Sequence, residues 1–144
     1  MIPEYLIIHT AAYKGDADIK EITRWHVNPP HNFRTVGYHY YIRRDGTIEK
    51  GRKENEKGAH CKHMGMNSKS LGICFEGHGD YEPWTKHQEE SYLRLCNRLL
   101  NKYDIPVKNI WGHRETGAPK TCPGTLIDMH EVRLKMEVYK LGTL

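Results

Sequence analysis

Apolar residues along this chain fall into short unbroken runs and into stripes spaced three and four apart, and the two patterns predict different elements. The run in EYLIIHT predicts a short buried strand from Tyr5 to His9, ending on a histidine. ADIKEITRWHVN predicts a first helix: Asp18 is placed to cap it, Glu21 follows in its first turn, and Ile19, Ile22 and Trp25 or His26 recur at helical spacing. Pro29 and Pro30 stop that helix. In GYHYYIRRDGTIEKGR two strand-like runs flank Asp45-Gly46, which predicts a hairpin with a type I′ turn. LGICFEG, Leu71 to Gly77, is a continuous apolar run bounded by glycines, as a central strand would be.

From Thr85 the period changes. Thr85 and Gln88 form a capping box, and Tyr92, Leu95, Cys96, Leu99, Leu100 and Tyr103 make the apolar stripe of a helix. KNIWGH predicts one more strand, again ending on a histidine, and IDMHEVRLKMEVYK a C-terminal helix. The order β-α-β-β-β-α-β-α predicts an α/β fold, a three-layer α/β/α domain with a central mixed β-sheet, because the hairpin is antiparallel while helical crossovers favour parallel neighbours. Ligands gather in such sheets where strands end. If the strands ending on His9 and His113 are neighbours, their imidazoles converge at one edge.

Composition narrows the class. The 144 residues fit a single domain over 1–144, and 28% charged against 38% hydrophobic residues excludes a disordered chain. MIPEYLIIHT has neither a basic leader nor an apolar run long enough to span a bilayer, which predicts no signal peptide, no membrane insertion and cytoplasmic synthesis. Cys61, Cys74, Cys96 and Cys122 match no disulfide framework and are expected to be reduced; Cys74 and Cys96 fall at core positions. A net charge of +4 suits contact with an anionic polymer but lacks the clustering of a nucleic-acid binder. The ten histidines point elsewhere, to metal or acid–base chemistry.

GHRETGAPKTCPG places His113, Lys120 and Cys122 in one loop-like stretch. Glycine and proline punctuate loops whatever those loops do. The chemical reading is a zinc site of His9, His113 and Cys122: zinc takes imidazole at roughly 2.0 Å and thiolate at roughly 2.3 Å, and three protein ligands leave a position open. No CxxC or HExxH pattern ties these ligands together, so spacing alone leaves a satisfied structural histidine as the alternative. HCKH, His60 to His63, is too crowded to favour a second site. A cysteine hydrolase pairing Cys122 with His113 or His9 is a further alternative, and it needs a lowered thiol pKa.

The segments IIHTAA, VGYHYYIRRDGTIEKGR, GAH, NSKSLGICFEG, GHRE and APKTCPG occur in an order that resembles one family. From about Tyr5 to Met129 the chain resembles the zinc-dependent N-acetylmuramoyl-L-alanine amidases of the phage T7 lysozyme type, related to peptidoglycan recognition proteins. The resemblance implies Zn2+ on His9, His113 and Cys122, with Tyr38 and Lys120 as catalytic residues and His60 and Asn67 contacting substrate. Pro119 and Pro123 would stiffen the loop so that Cys122 and Lys120 both face the cleft. The implied reaction is amide hydrolysis with Lys120 stabilising the oxyanion and Tyr38 acting as acid, base or electrostatic stabiliser.

The implied partners are peptidoglycan or muropeptides, met by a monomer in the setting of a phage or prophage endolysin. A non-catalytic recognition module, a cytosolic wall-recycling amidase and a regulatory protein partner such as a polymerase stay open at this point. His39, facing away from Tyr38 in an alternating strand, reads as structural. Arg43, Arg44, Lys50, Arg52 and Lys53 make the hairpin basic, either as a solvated face or as a contact with anionic wall polymer or a protein.

Overall fold

Tyr5–Thr10 (β1) is an apolar run because it is covered on both faces, and its neighbours explain why. In the computed structural model, which describes residues 1–142, the chain continues through Ile19–Val27 (α1), Tyr40–Ile42 (β2), Ile48–Lys50 (β3), Ser70–Phe75 (β4), Lys86–Tyr103 (α2), Ile110–Gly112 (β5) and Met129–Lys140 (α3). The domain reading of 1–144 includes Thr143 and Leu144, which lie outside the described residues. The five strands order β3-β2-β4-β1-β5; β1 runs parallel to β4 and β5, β2 parallel to β4, and only β2–β3 is antiparallel.

Alternation sorts the side chains into layers. Leu6 and Ile8 of β1 and Leu71, Ile73 and Phe75 of β4 pack on one face against the stripes of α2 and α3, among them Leu95, Cys96, Leu99, Val132 and Met136. On the other face Tyr41 and Cys74 meet Ile22 of α1, while Ile7 meets Cys61 and Met66 of the segment before β4. This is the three-layer mixed-sheet architecture. Each fully buried Leu or Ile of these clusters contributes roughly 1.5–3 kcal/mol by leaving water.

The helix starts follow the capping chemistry. The Asp18 side chain accepts from the Glu21 N–H, and Thr85 and Gln88 form the reciprocal capping box. The hairpin departs from expectation. Only Gly46 of the Asp45-Gly46 pair has positive φ, at +90°, whereas a type I′ turn needs it at both positions. Gly46 N–H instead donates to the Arg43 carbonyl at 2.9 Å, and Asp45 Oδ1 accepts from Thr47 N–H at 2.9 Å. The turn is therefore a longer loop with glycine at its left-handed position.

The hairpin arginines are not a free basic surface. Arg43 lies 3.0 Å from Glu76 and 3.8 Å from Glu49, and Arg44 reaches Asp16, Glu76 and Glu82. Burial would raise the pKa of Glu76, but hydrogen bonds from Arg43, Arg44 and Ala17 outweigh it and hold the carboxyl below its ordinary range. Arg52 donates to the Val36 and Lys57 carbonyls. These charges hold the hairpin and the segment before α1 around the end of β4.

Candidate active site

The pairing of β1 with β5 decides where the histidines go. His9 lies near the end of β1, and Ile8 registers with Gly112 at the end of β5, so His113 follows one step beyond, at the start of a short 3-10 turn rather than within the strand. The two imidazole centroids are 4.6 Å apart. Cys122 completes the set: its Sγ is 3.8 Å from His9 Nδ1, and the donor atoms of His9, His113 and Cys122 all lie within 4.8 Å of one another. The three residues thus form a cluster able to hold a metal ion.

Burial keeps these groups uncharged. The pKa of His9 is pushed well below its ordinary value, first by desolvation and then by His60, His113 and Lys120. Burial, then the charges of Lys120 and His63, bring His113 down to about 4. A metal needs the neutral imidazole, so both histidines present the correct form. Burial also pushes the Cys122 thiol up to about 11, against the smaller opposing effects of the Thr10 N–H, Lys120 and Arg114. That is the opposite of what a thiol nucleophile requires, and it argues against the cysteine-hydrolase alternative.

The loop carrying Cys122 is held by residues outside the predicted site. The Arg114 N–H donates to the Cys122 carbonyl at 2.8 Å, and its guanidinium donates to the carbonyls of Thr121, Gly124 and Ile127 at 3.2, 2.7 and 2.5 Å. Since Arg114 follows His113 directly, one side chain fixes the His113 and Cys122 segments relative to each other. Asp80 accepts from Thr121 Oγ1 and Thr125 N–H, at 2.9 and 2.8 Å. Gly79 and Gly124 touch backbone to backbone, where a Cβ on Gly79 would stand 1.9 Å from the Pro123 carbonyl oxygen. An arginine beside a ligand and a glycine pair far apart in sequence are the signals that were available, and neither names its partner.

His9, Tyr38, His113, Lys120 and Cys122 line one cavity of about 830 Å³, and His60 and Asn67 also reach it. Lys120 is exposed, while the Tyr38 ring sits 5.1 Å from His9 and 5.2 Å from His26. Burial, followed by Cys74 and Cys122, raises the Tyr38 phenol well above its ordinary pKa. Lys120 and Cys122 thus share the cleft, as the stiffened loop predicted.

His60 and Asn67 are placed differently from a simple substrate contact. His60 is 9% exposed and its Nδ1 lies 2.9 Å from His9 Nε2. Asn67 Oδ1 accepts from the His60 and Cys61 N–H groups at 2.8 and 2.7 Å. With its ring turned to His9, His60 does not join His63 in a second metal cluster, and among the described residues none forms there. His39 is structural: buried, its Nδ1 accepts from Gly72 N–H at 3.0 Å while Nε2 donates to the Glu56 carbonyl at 2.8 Å.

With this geometry in place, comparison with known proteins is decisive. The family described as N-acetylmuramoyl-L-alanine amidase matches residues 1–125. The chain belongs to this amidase family. It is 37% identical over 125 residues to the endolysin of Escherichia phage T7, covering 82% of this chain and 78% of the relative. The solved N-acetylmuramoyl-L-alanine amidase LysC from Clostridium intestinale URNW superposes with a TM-score of 0.85 at 31% identity, covering 94% of this chain and 86% of that one. Peptidoglycan-recognition protein SC1a of Drosophila melanogaster is 28% identical over 137 residues, 90% of this chain and 71% of the relative. The amidase is therefore an enzyme, and its reaction is hydrolysis of the amide joining N-acetylmuramic acid to L-alanine.

Proposed function

We propose that this amidase is a zinc-dependent endolysin that acts as a monomer on peptidoglycan or its soluble muropeptides, with His9, His113 and Cys122 as the metal ligands. The observation that carries the reading is the meeting of those three donor atoms, within 4.8 Å, in the cavity that also holds Tyr38 and Lys120. The donor set fits zinc. Two imidazole nitrogens and a thiolate, deprotonated by the ion it would bind, are borderline-soft ligands, and a tetrahedral ion with bonds of roughly 2.0–2.3 Å separates its ligands by roughly 3.5 Å. The His9 to Cys122 distance of 3.8 Å is close to that edge. Three ligands leave room for substrate chemistry, and the bound ion would supply Lewis acidity at a carbonyl.

The chain's own groups supply the rest. Lys120, on the loop two residues before Cys122, lines the same cleft, and its ammonium would stabilise an oxyanion that develops there. Tyr38 keeps its proton because burial disfavours the phenolate, so it enters the reaction as a hydrogen-bond donor able to pass a proton toward the departing amine. Among the described residues no helix is long and apolar enough to cross a membrane.

The test is metal content and activity together. One zinc per chain, loss of hydrolysis with chelator and recovery on adding zinc are expected; hydrolysis that continues in chelator rules the reading out. Comparing intact wall with soluble muropeptides separates an endolysin from a recycling enzyme, which would prefer the soluble substrate.

A further inference from the structure

We infer that His60 is a positioning residue that fixes the proton of His9 on Nε2, so that His9 Nδ1 is presented to the metal centre as a lone pair. This rests on the zinc reading above. The direction of the proton chain is set at its far end. Ser70, the buried first residue of β4, has its Oγ 2.6 Å from the Met66 carbonyl. A carbonyl only accepts, so the single hydroxyl hydrogen is used there.

His60 Nε2 lies 3.4 Å from the same Oγ and must therefore be the donor. A neutral imidazole carries one N–H, which leaves His60 Nδ1 as an acceptor. That atom is 2.9 Å from His9 Nε2, so His9 donates. Its one hydrogen is then used, and Nδ1, 3.8 Å from Cys122 Sγ, is left bare on the ligand side. Outer groups that orient a ligating histidine in this way tune metal affinity.

The site for the His60 ring is built into the fold. A Cβ on Gly72 of β4 would stand 2.6 Å from His60 Cγ, and one on Gly58 would stand 2.5 Å from Cδ2. Neither glycine has positive φ, so space for the ring accounts for them, not backbone freedom. Asn67 holds the His60 backbone through its N–H. The neighbouring His39 uses both ring nitrogens on Gly72 and Glu56 and offers His60 no competing proton. Both nitrogens of His60 are thereby engaged by protein, although the ring reaches the cavity wall.

Three variants and two readouts test this. Zinc affinity is measured by competition with a chromophoric chelator, and the His9 tautomer by ¹H–¹⁵N correlation in the metal-free protein. His60→Leu removes the acceptor and is expected to weaken zinc binding about tenfold. His60→Asn, whose Oδ1 falls near the position of Nδ1, should recover most of that loss. Gly72→Ala, which displaces the ring, should behave like His60→Leu. In the metal-free native protein the His9 proton is expected on Nε2.

A proton on His9 Nδ1, an affinity unchanged in His60→Leu, or an asparagine variant no better than the leucine one overturns the inference. So does a rise in KM with zinc affinity intact, which would make His60 a substrate contact. Failure of the native protein to bind zinc would instead sink the metal reading, while the tautomer measurement still decides the inference. If His60→Leu does not fold, the asparagine variant and the native spectrum suffice.

Discussion

Replacing Arg114 with methionine should loosen the metal centre without touching a ligand. The methionine stem preserves much of the apolar packing, so the change isolates the guanidinium, which donates to the Thr121, Gly124 and Ile127 carbonyls at 3.2, 2.7 and 2.5 Å. Hydrogen bonds from a charged donor contribute about 1.5–3 kcal/mol each. Here the three share one group, one is long, and water can replace the donor at the exposed Thr121 carbonyl, while those of Gly124 and Ile127 belong to buried residues. The expected net loss is therefore about 2–3 kcal/mol, well below the sum of three independent bonds. For a chain of this size that lowers the melting temperature by roughly 5–10 °C. Because the carbonyls belong to the loop that carries Cys122, zinc affinity should also fall about tenfold. Calorimetry and chelator competition measure the two effects. A melting temperature within roughly 1 °C of native, together with unchanged zinc affinity, would refute the claim that Arg114 ties the His113 turn to the Cys122 loop.

Tyr38→Phe should fold, keep its zinc and lose most of its hydrolytic rate; undiminished turnover would remove the phenol from the mechanism. Leu99→Ala, at a fully buried position of α2, should cost about 2–5 kcal/mol in urea unfolding while leaving zinc binding intact, and a loss below about 1 kcal/mol would contradict its place in the core. Burial lowers His60 to about 3 and His113 to about 4 in the metal-free protein, from an ordinary 6.5. Their folded pKa values lie below the unfolded ones, so the unfolded chain takes up protons first as pH falls. Stability from these groups is complete above about pH 6.5 and is lost progressively toward pH 3; urea midpoints of the metal-free protein that stay flat between pH 7 and 5 would contradict this.

Much of this fold was legible because its elements are locally coded. Thr85 with Gln88, and Asp18 ahead of α1, are capping chemistry confined to four residues, and the stripe from Tyr92 to Leu100 follows from the helical period alone. His9 and His113 are visible as residues ending apolar runs, but their convergence depends on β1 and β5 being neighbours, which no local pattern specifies. The Asp45-Gly46 turn was misread because the ion pairs of Arg43 and Arg44 with Glu76 and Glu82, as well as dipeptide preference, shape that loop. The burial of His60 beside His9 could not be seen in GAH, because it depends on Gly58 and Gly72, whose missing side chains make its pocket. The role of Arg114 is invisible in GHRE because its partners are backbone carbonyls, which every residue carries.

The most direct test of the central claim is hydrolysis of purified peptidoglycan by the zinc-loaded chain, with products identified by mass spectrometry beside a chelated sample and a Cys122→Ser control. The account predicts stem peptides released with a free L-alanine amino terminus, and none in either control. Cleavage within the glycan strand, or release of the same peptides by the Cys122→Ser protein, would contradict it.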